Sequence, residues 1–235
     1  MSAPPVLEID GVVKAYGALR PLRVQTLTIA PRERVAVVGL DAPAAQLLVN
    51  LVTGATLPDQ GTVRVLGQST ADITEGEAWL ASLDRFGIAG ERAVLMEGST
   101  VAQNLAMPFT LDIEPVPAEI RSRVERLAED CGIVNRMWLD RAAGELPPEI
   151  RARVHMARAV ALDPSLVLLE HLAAAVPARA HAALAADIVR VMEGRRISAL
   201  IVTHDDAFAS SVAHRALKLQ PATGALVPVK KGWFW

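Results

Sequence analysis

The apolar and polar positions of this chain follow two periods in turn. Val6–Ile9, Val24–Ile29 and Thr62–Leu66 are short apolar or alternating runs bounded by turn residues, and read as strands of an antiparallel section. Arg34–Gly39 (RVAVVG) is apolar without alternation and closes on glycine, as a strand covered on both faces requires. Ala44–Thr53 (AAQLLVNLVT) continues with helical spacing, and Gly54 is placed to cap it. Glu75–Asp84 predicts a short helix and Phe86–Ala89 a strand. Thr100–Met107, Pro117–Cys131 and Pro148–Leu162 then predict helices with little strand between them, Pro115 and Pro117 marking a linker. Asp163-Pro164 stops the last of these, because proline lacks the amide donor and pushes its predecessor out of the helical region. A buried strand, Leu166–Leu169, a helix Ala178–Glu193 stopped by Gly194, a strand Ala199–Thr203, a short helix from Asp205 and two closing strands complete the chain. Strands alternating with helices imply an α/β fold with a mostly parallel sheet.

Composition narrows the class. The chain has 235 residues, 51% of them apolar, enough for one large α/β domain or a core with a small subdomain. A formal charge of −2 gives no electrostatic reason to expect a nucleic-acid partner. One cysteine, Cys131, excludes an internal disulfide and fits a reducing compartment. MSAPPVLEID lacks the pattern of a signal peptide, and no apolar run reaches the roughly 18–20 residues of a membrane span. A cytoplasmic protein whose membrane contact runs through a partner is expected.

The segment Leu146–Leu172 (LPPEIRARVHMARAVALDPSLVLLEHL) resembles ATP-binding subunits of ABC transporters, from the signature motif through an ARA-x-ALDP helix to the Walker B strand. Leu51–Gly67 is similar to the stretch after a Walker A helix, Thr100–Pro108 (TVAQNLAMP) to the family's TV-x-ENL-x-LP, and Leu200–Asp205 (LIVTHD) to its switch strand. The resemblance implies a P-loop NTPase-like core with an antiparallel β subdomain: residues 1–90 and 163–235 form the core, and 91–162 a helical subdomain. It also implies Mg-ATP as cofactor, a membrane-spanning transporter subunit as partner, and a dimer with a second copy or with another ABC subunit. The wording of Thr100–Pro108 is most similar to subunits of lipoprotein-release, macrolide-efflux and lipid-transport systems.

The residues that would carry the chemistry are replaced. A Walker A loop needs glycines, free amides, a lysine and a magnesium-binding hydroxyl. The aligned run is Gly39-Leu40-Asp41-Ala42-Pro43-Ala44-Ala45-Gln46, with Ala45 in the lysine position and Gln46 in the hydroxyl position. Pro43 removes one amide, and Asp41 adds a carboxylate where phosphate oxygens would lie. Glu170-His171 stands for the Walker B Asp-Glu pair; Glu170 remains an acidic oxygen ligand for Mg²⁺, and His171 a base with a pKa near neutrality. Glu91 takes the place of the γ-phosphate-sensing glutamine, Leu146-Pro147-Pro148-Glu149-Ile150 that of LSGGQ, and Pro177 that of the D-loop aspartate. Two positions keep the family's residue type. Tyr16 matches the aromatic that stacks on adenine, and can equally pack on the antiparallel sheet. His204 matches the switch histidine, and without its partners is expected to cap the helix from Asp205.

Phosphoryl transfer is positioning plus electrostatics by groups acting as a unit, so these losses together argue against robust ATP hydrolysis and against tight Mg-ATP binding. The expected function is a pseudo-ATPase subunit, with two alternatives: an ATPase with rewired ligands using Glu170, His171 and His204, or a soluble interaction protein. Val94, Leu95 and Met96 are expected to anchor a partner's coupling helix, with Val101, Leu105 and Met107 as further candidates. The C-terminal KKGWFW is expected to anchor at a membrane interface or on a partner, or to tuck back onto the domain.

Overall fold

Three strands buried along their whole length set the architecture. The computed structural model describes residues 3–90 and 93–229. In chain order the elements are β1 (Leu7–Lys14), β2 (Leu22–Ile29), β3 (Arg34–Val38), α1 (Ala42–Val52), β4 (Gln60–Val65), β5 (Gln68–Ser69), α2 (Gly76–Leu83), β6 (Phe86–Ala89), α3 (Val101–Ala106) and α4 (Ala118–Asp130). There follow α5 (Pro148–Val160), β7 (Leu166–Glu170), α6 (Ala178–Arg195), β8 (Ser198–Val202), α7 (Asp206–Val212), β9 (Arg215–Gln220) and β10 (Ala225–Pro228).

A six-stranded sheet runs in the order β10-β9-β3-β8-β7-β6, parallel except for β10. Its central strands divide their side chains between two cores. Val35, Val37, Leu166, Leu168, Leu200 and Val202 face α1 and the antiparallel sheet. Ala36, Val38, Val167, Leu169, Ala199 and Ile201 face the core built with α3 to α7. Because both faces are covered, these strands read as continuous apolar runs rather than alternating ones. The antiparallel sheet, in the order β2-β1-β4-β5, joins the larger sheet through Gln25, whose amide donates to the Gly224 carbonyl at 2.8 Å.

Two helices fit the sheet for local reasons. At Gly87 in β6, a Cβ atom would lie 1.9 Å from the Ala159 carbonyl oxygen, so only glycine lets the C-terminal end of α5 lie this close. α6 does not stop at Gly194 as expected. It continues to Arg195, and the left-handed residue is Arg196, at φ 56°. The Arg196 and Ile197 amides donate to the Glu193 and Met192 carbonyls, and Ile197 is buried, so a Schellman closure forms without glycine.

Candidate functional site

The loop after β3 decides what this end of the sheet can bind. Gly39 adopts φ 89°, and a Cβ there would stand 3.2 Å from the Leu219 carbonyl oxygen; the glycine is a steric necessity. Only Leu40 and Asp41 separate it from the helix, which starts two residues before the predicted Ala44. Asp41 is the N-cap. Its carboxylate accepts the Ala44 amide at 2.8 Å, and its carbonyl accepts the Ala45 amide at 2.8 Å. Ala42 and Pro43 form the first turn, with Pro43 donating nothing. A helix N-terminus is a ready-made anion site only while its amides are free. Here the chain's own carboxylate occupies one of them, and any phosphate would meet that negative charge.

The surroundings agree. Ala45 is fully buried in the second core, and Gln46 is half-buried. Tyr16 packs against that same core, and its hydroxyl pKa is raised by burial and then by the negative charge of Asp41. A cavity of about 120 Å³ lies between Tyr16, Arg20, Arg23, Gly39 and Asp41, below the roughly 300–1,000 Å³ of small-molecule pockets. Arg20 and Arg23 bring positive charge here without any motif to announce it.

At the end of β7, Glu170 is buried and its side chain lies against Gly90. His171 follows at φ 49°, its amide donating to the Val202 carbonyl at 2.8 Å. That turn lays its imidazole flat on the imidazole of His204, centroids 4.2 Å apart and planes inclined by 16°. His204 does not cap α7. Asp205 does so, its carboxylate accepting the Ala207 and Phe208 amides at 2.8 and 2.9 Å, because the N-cap residue must directly precede the first helical turn.

Leu146 is buried, and Pro147 and Pro148 open α5 with no side-chain cap. Neither proline has an amide, and the next two turn-forming amides, of Ile150 and Arg151, both donate to the Pro147 carbonyl. Glu149 is half-buried, its carbonyl taking a guanidinium hydrogen bond from Arg153. The position of Pro177 is a helix N-cap as well, again without a side-chain bond.

In the segment expected to receive a partner, Val94 and Met96 are exposed, but Leu95 is core at 1% exposure, as are Val101 and Leu105. Asn104, fully buried, holds the segment in this setting through both atoms of its amide, accepting from the Met96 amide and donating to the Met96 carbonyl. That leaves Leu95 turned inward. Thr100 and Gln103 complete a capping box, which fixes where α3 begins. Glu91 and the KKGWFW segment lie outside the described residues. Among the described residues no group of His, Cys, Asp and Glu is placed to hold a metal ion, and no helix is long and apolar enough to cross a membrane.

A family model described as ABC transporter matches residues 22–171. The chain belongs to the ABC transporter family. It is 31% identical over 219 residues to the sulfate/thiosulfate import ATP-binding protein CysA of Methylococcus capsulatus, covering 91% of this chain and 60% of that one. It is 33% identical over 211 residues to the phosphonates import ATP-binding protein PhnC of Anaeromyxobacter dehalogenans, covering 85% and 41%. The chain thus spans only part of the length of these ABC relatives. Among solved structures it is similar to CbiO1 from Clostridium perfringens, described as part of the ABC transporter complex cbiONQ, with a TM-score of 0.79, 17% identity and coverage of 96% and 88%. The dimeric bacterial ABC transporter cassette MJ0796 gives a TM-score of 0.75 at 18% identity, covering 96% and 100%. At such identities the likeness is one of fold, and the α/β ABC cassette expected from the residues is the fold observed.

Proposed function

We propose that this chain is a non-catalytic ABC subunit, held on the cytoplasmic face of a membrane transporter as a structural or regulatory member. The observation that carries the reading is the 2.8 Å hydrogen bond from the Ala44 amide to the Asp41 carboxylate, at the place where the family holds phosphate. With alanine at the lysine position and prolines at the signature, neither a nucleotide bound by this chain nor one presented by a dimer partner finds its usual ligands. The partner in the dimer is a second copy or an active ATPase. Residues 91–162 would serve as the helical subdomain that receives a membrane subunit, with Val94 and Met96 as exposed anchors. The relatives described above are named for import, which favours an importer over the lipid, lipoprotein or efflux systems suggested by Thr100–Pro108.

One observation favours a second reading, an ATPase with rewired ligands: the contact of His171 with His204 beside the buried Glu170. Equilibrium binding of ATP with Mg²⁺ to the purified chain, with Tyr16→Ala as control, separates the two. The proposal expects no saturable binding up to millimolar ATP. Micromolar binding lost in the Tyr16 variant would overturn it and favour the rewired site.

A further inference from the structure

The cavity at the end of β7 is walled mostly by groups that need no hydrogen bond. It measures about 540 Å³, within the range of small-molecule sites, and opens between Val94-Leu95, the first half of α5 and the loop after β7. None of residues 39–46 lines it. The loop after β7 reads Leu172-Ala173-Ala174-Ala175-Val176, with no side chain able to donate or accept. Its Ala174 and Val176 amides donate to the His171 and Ala173 carbonyls, so it presents methyl groups rather than free amides. The start of α5 does likewise. Pro148 has no amide, and the Ile150 and Arg151 amides both turn onto the Pro147 carbonyl.

Four polar side chains reach the wall, and each already has contacts within the chain. Arg151 is paired with both carboxylate oxygens of Glu97 and donates to the Ala143 carbonyl. The His171 imidazole is stacked on that of His204, and the buried Glu170 side chain packs against Gly90. The His155 ring hydrogen-bonds to the Ala93 backbone, and its Nδ1, without a partner, is itself buried. Burial, followed by the charges of Arg151 and Arg158, lowers the His155 pKa to about 4, so the ring is uncharged at neutral pH. The same two guanidinium groups oppose an ammonium beside that ring, and the Glu170 carboxyl opposes an anion. A charged ligand would give up its hydration here without gaining an unengaged counter-ion. An uncharged one loses only the water held against its apolar surface.

We propose that this cavity binds an uncharged, largely apolar small molecule of the aryl-alkyl class, held by burial of its hydrocarbon surface. Any hydroxyl it carries stays at the mouth, in water. Such a ligand touches Val94-Leu95, α5 and the loop after β7 at once, and so ties together three separate parts of the chain. The inference goes beyond the proposed function and stands whether or not ATP binds at the loop after β3.

The test uses the full chain at neutral pH and three probes of similar shape: benzyl alcohol, benzylammonium and benzoate. Titrations follow the methyl signals of Val94, Leu172 and Val176. Benzyl alcohol is expected to shift them saturably, and each charged probe to bind about tenfold or more weakly. Phenylpropanol, longer by two methylenes, should bind about fifteenfold tighter than benzyl alcohol, the worth of burying both. Ala174→Trp and Ala175→Trp, at exposed positions of the rim, fill the mouth without disturbing the core, and loss of binding in either supports the proposal. No saturable shift, a charged probe as tight as benzyl alcohol, no gain from the longer chain, or binding that survives both tryptophan variants would overturn it.

Discussion

Arg153 of α5 and Asp187 of α6 form an ion pair at 2.7 Å with their side chains only 9% and 17% exposed. Arg153 also donates to the Glu149 carbonyl one turn back, and a Cβ at Gly132 would stand 2.5 Å from the Asp187 carboxylate. The pair holds the helix that begins at Pro147-Pro148 against its neighbour. Removing one member of such a pair strands a charge in low dielectric, which costs about 3–5 kcal/mol. Asp187→Ala should therefore lower the urea midpoint far more than Asp187→Ala combined with Arg153→Met. Equal losses in the two variants would show that the pair is not what fixes α5.

Asp41→Ala removes a helix cap, worth about 1 kcal/mol, or about 2–4 °C in melting temperature for a domain of this size. The same change frees the Ala44 amide and removes a carboxylate. Inorganic pyrophosphate should then stabilise the variant and leave the unaltered chain unmoved, since only a ligand of the folded state raises the melting point. Identical responses from the two proteins would count against the self-capped loop.

The His155 pKa is lowered from 6.5 to about 4, chiefly by burial and further by Arg151 and Arg158. Sign follows directly: the folded state prefers the neutral ring, so this stability is complete above pH 6.5 and declines as pH falls toward 4. The Glu33 carboxyl pKa is lowered from 4.5, because hydrogen bonds from Arg215 and the Ala30 amide outweigh its burial, so its contribution is lost only below 4.5. Between pH 6.5 and 4.5 the denaturation midpoint of the unaltered chain should fall more steeply than that of His155→Leu. Parallel slopes would remove His155 as the cause.

Cys131 is buried, and burial pushes its thiol up to about 12. An exposed thiol is half ionised near pH 8.5 and alkylates readily there. The native protein should resist iodoacetamide at that pH and react fully once unfolded. Rapid native labelling would mean that α4 opens locally at its C-terminal end.

The buried strands were legible because a run such as Arg34–Val38 or Leu166–Leu169 has no other economical place in an α/β fold. Element order and the ABC likeness followed from motifs spread along the chain. The limits were local. Gly194 looked like a helix stop, but the burial of Ile197 carried the closure to Arg196, and Leu95 looked like an anchor until Asn104 turned it inward. At the site, Asp41 was visible as an unwelcome charge, but the hydrogen bond that makes it a cap depends on α1 starting at Ala42. A cap signal was present, an aspartate followed two residues later by proline. The stacking of His171 on His204 joins residues 33 positions apart through a positive-φ turn, and nothing local in either sequence context foretold it.

The two helix starts that align with the family's phosphate motifs differ in where their amide donors go. At α1 an amide is present and covered by a side chain, so a single substitution at Asp41 uncovers it. At α5 the donors at 147 and 148 are missing from the backbone itself, and no change in a neighbouring side chain can supply them. One side-chain substitution thus exposes a donor at α1, whereas at α5 a donor returns only if a proline itself is replaced.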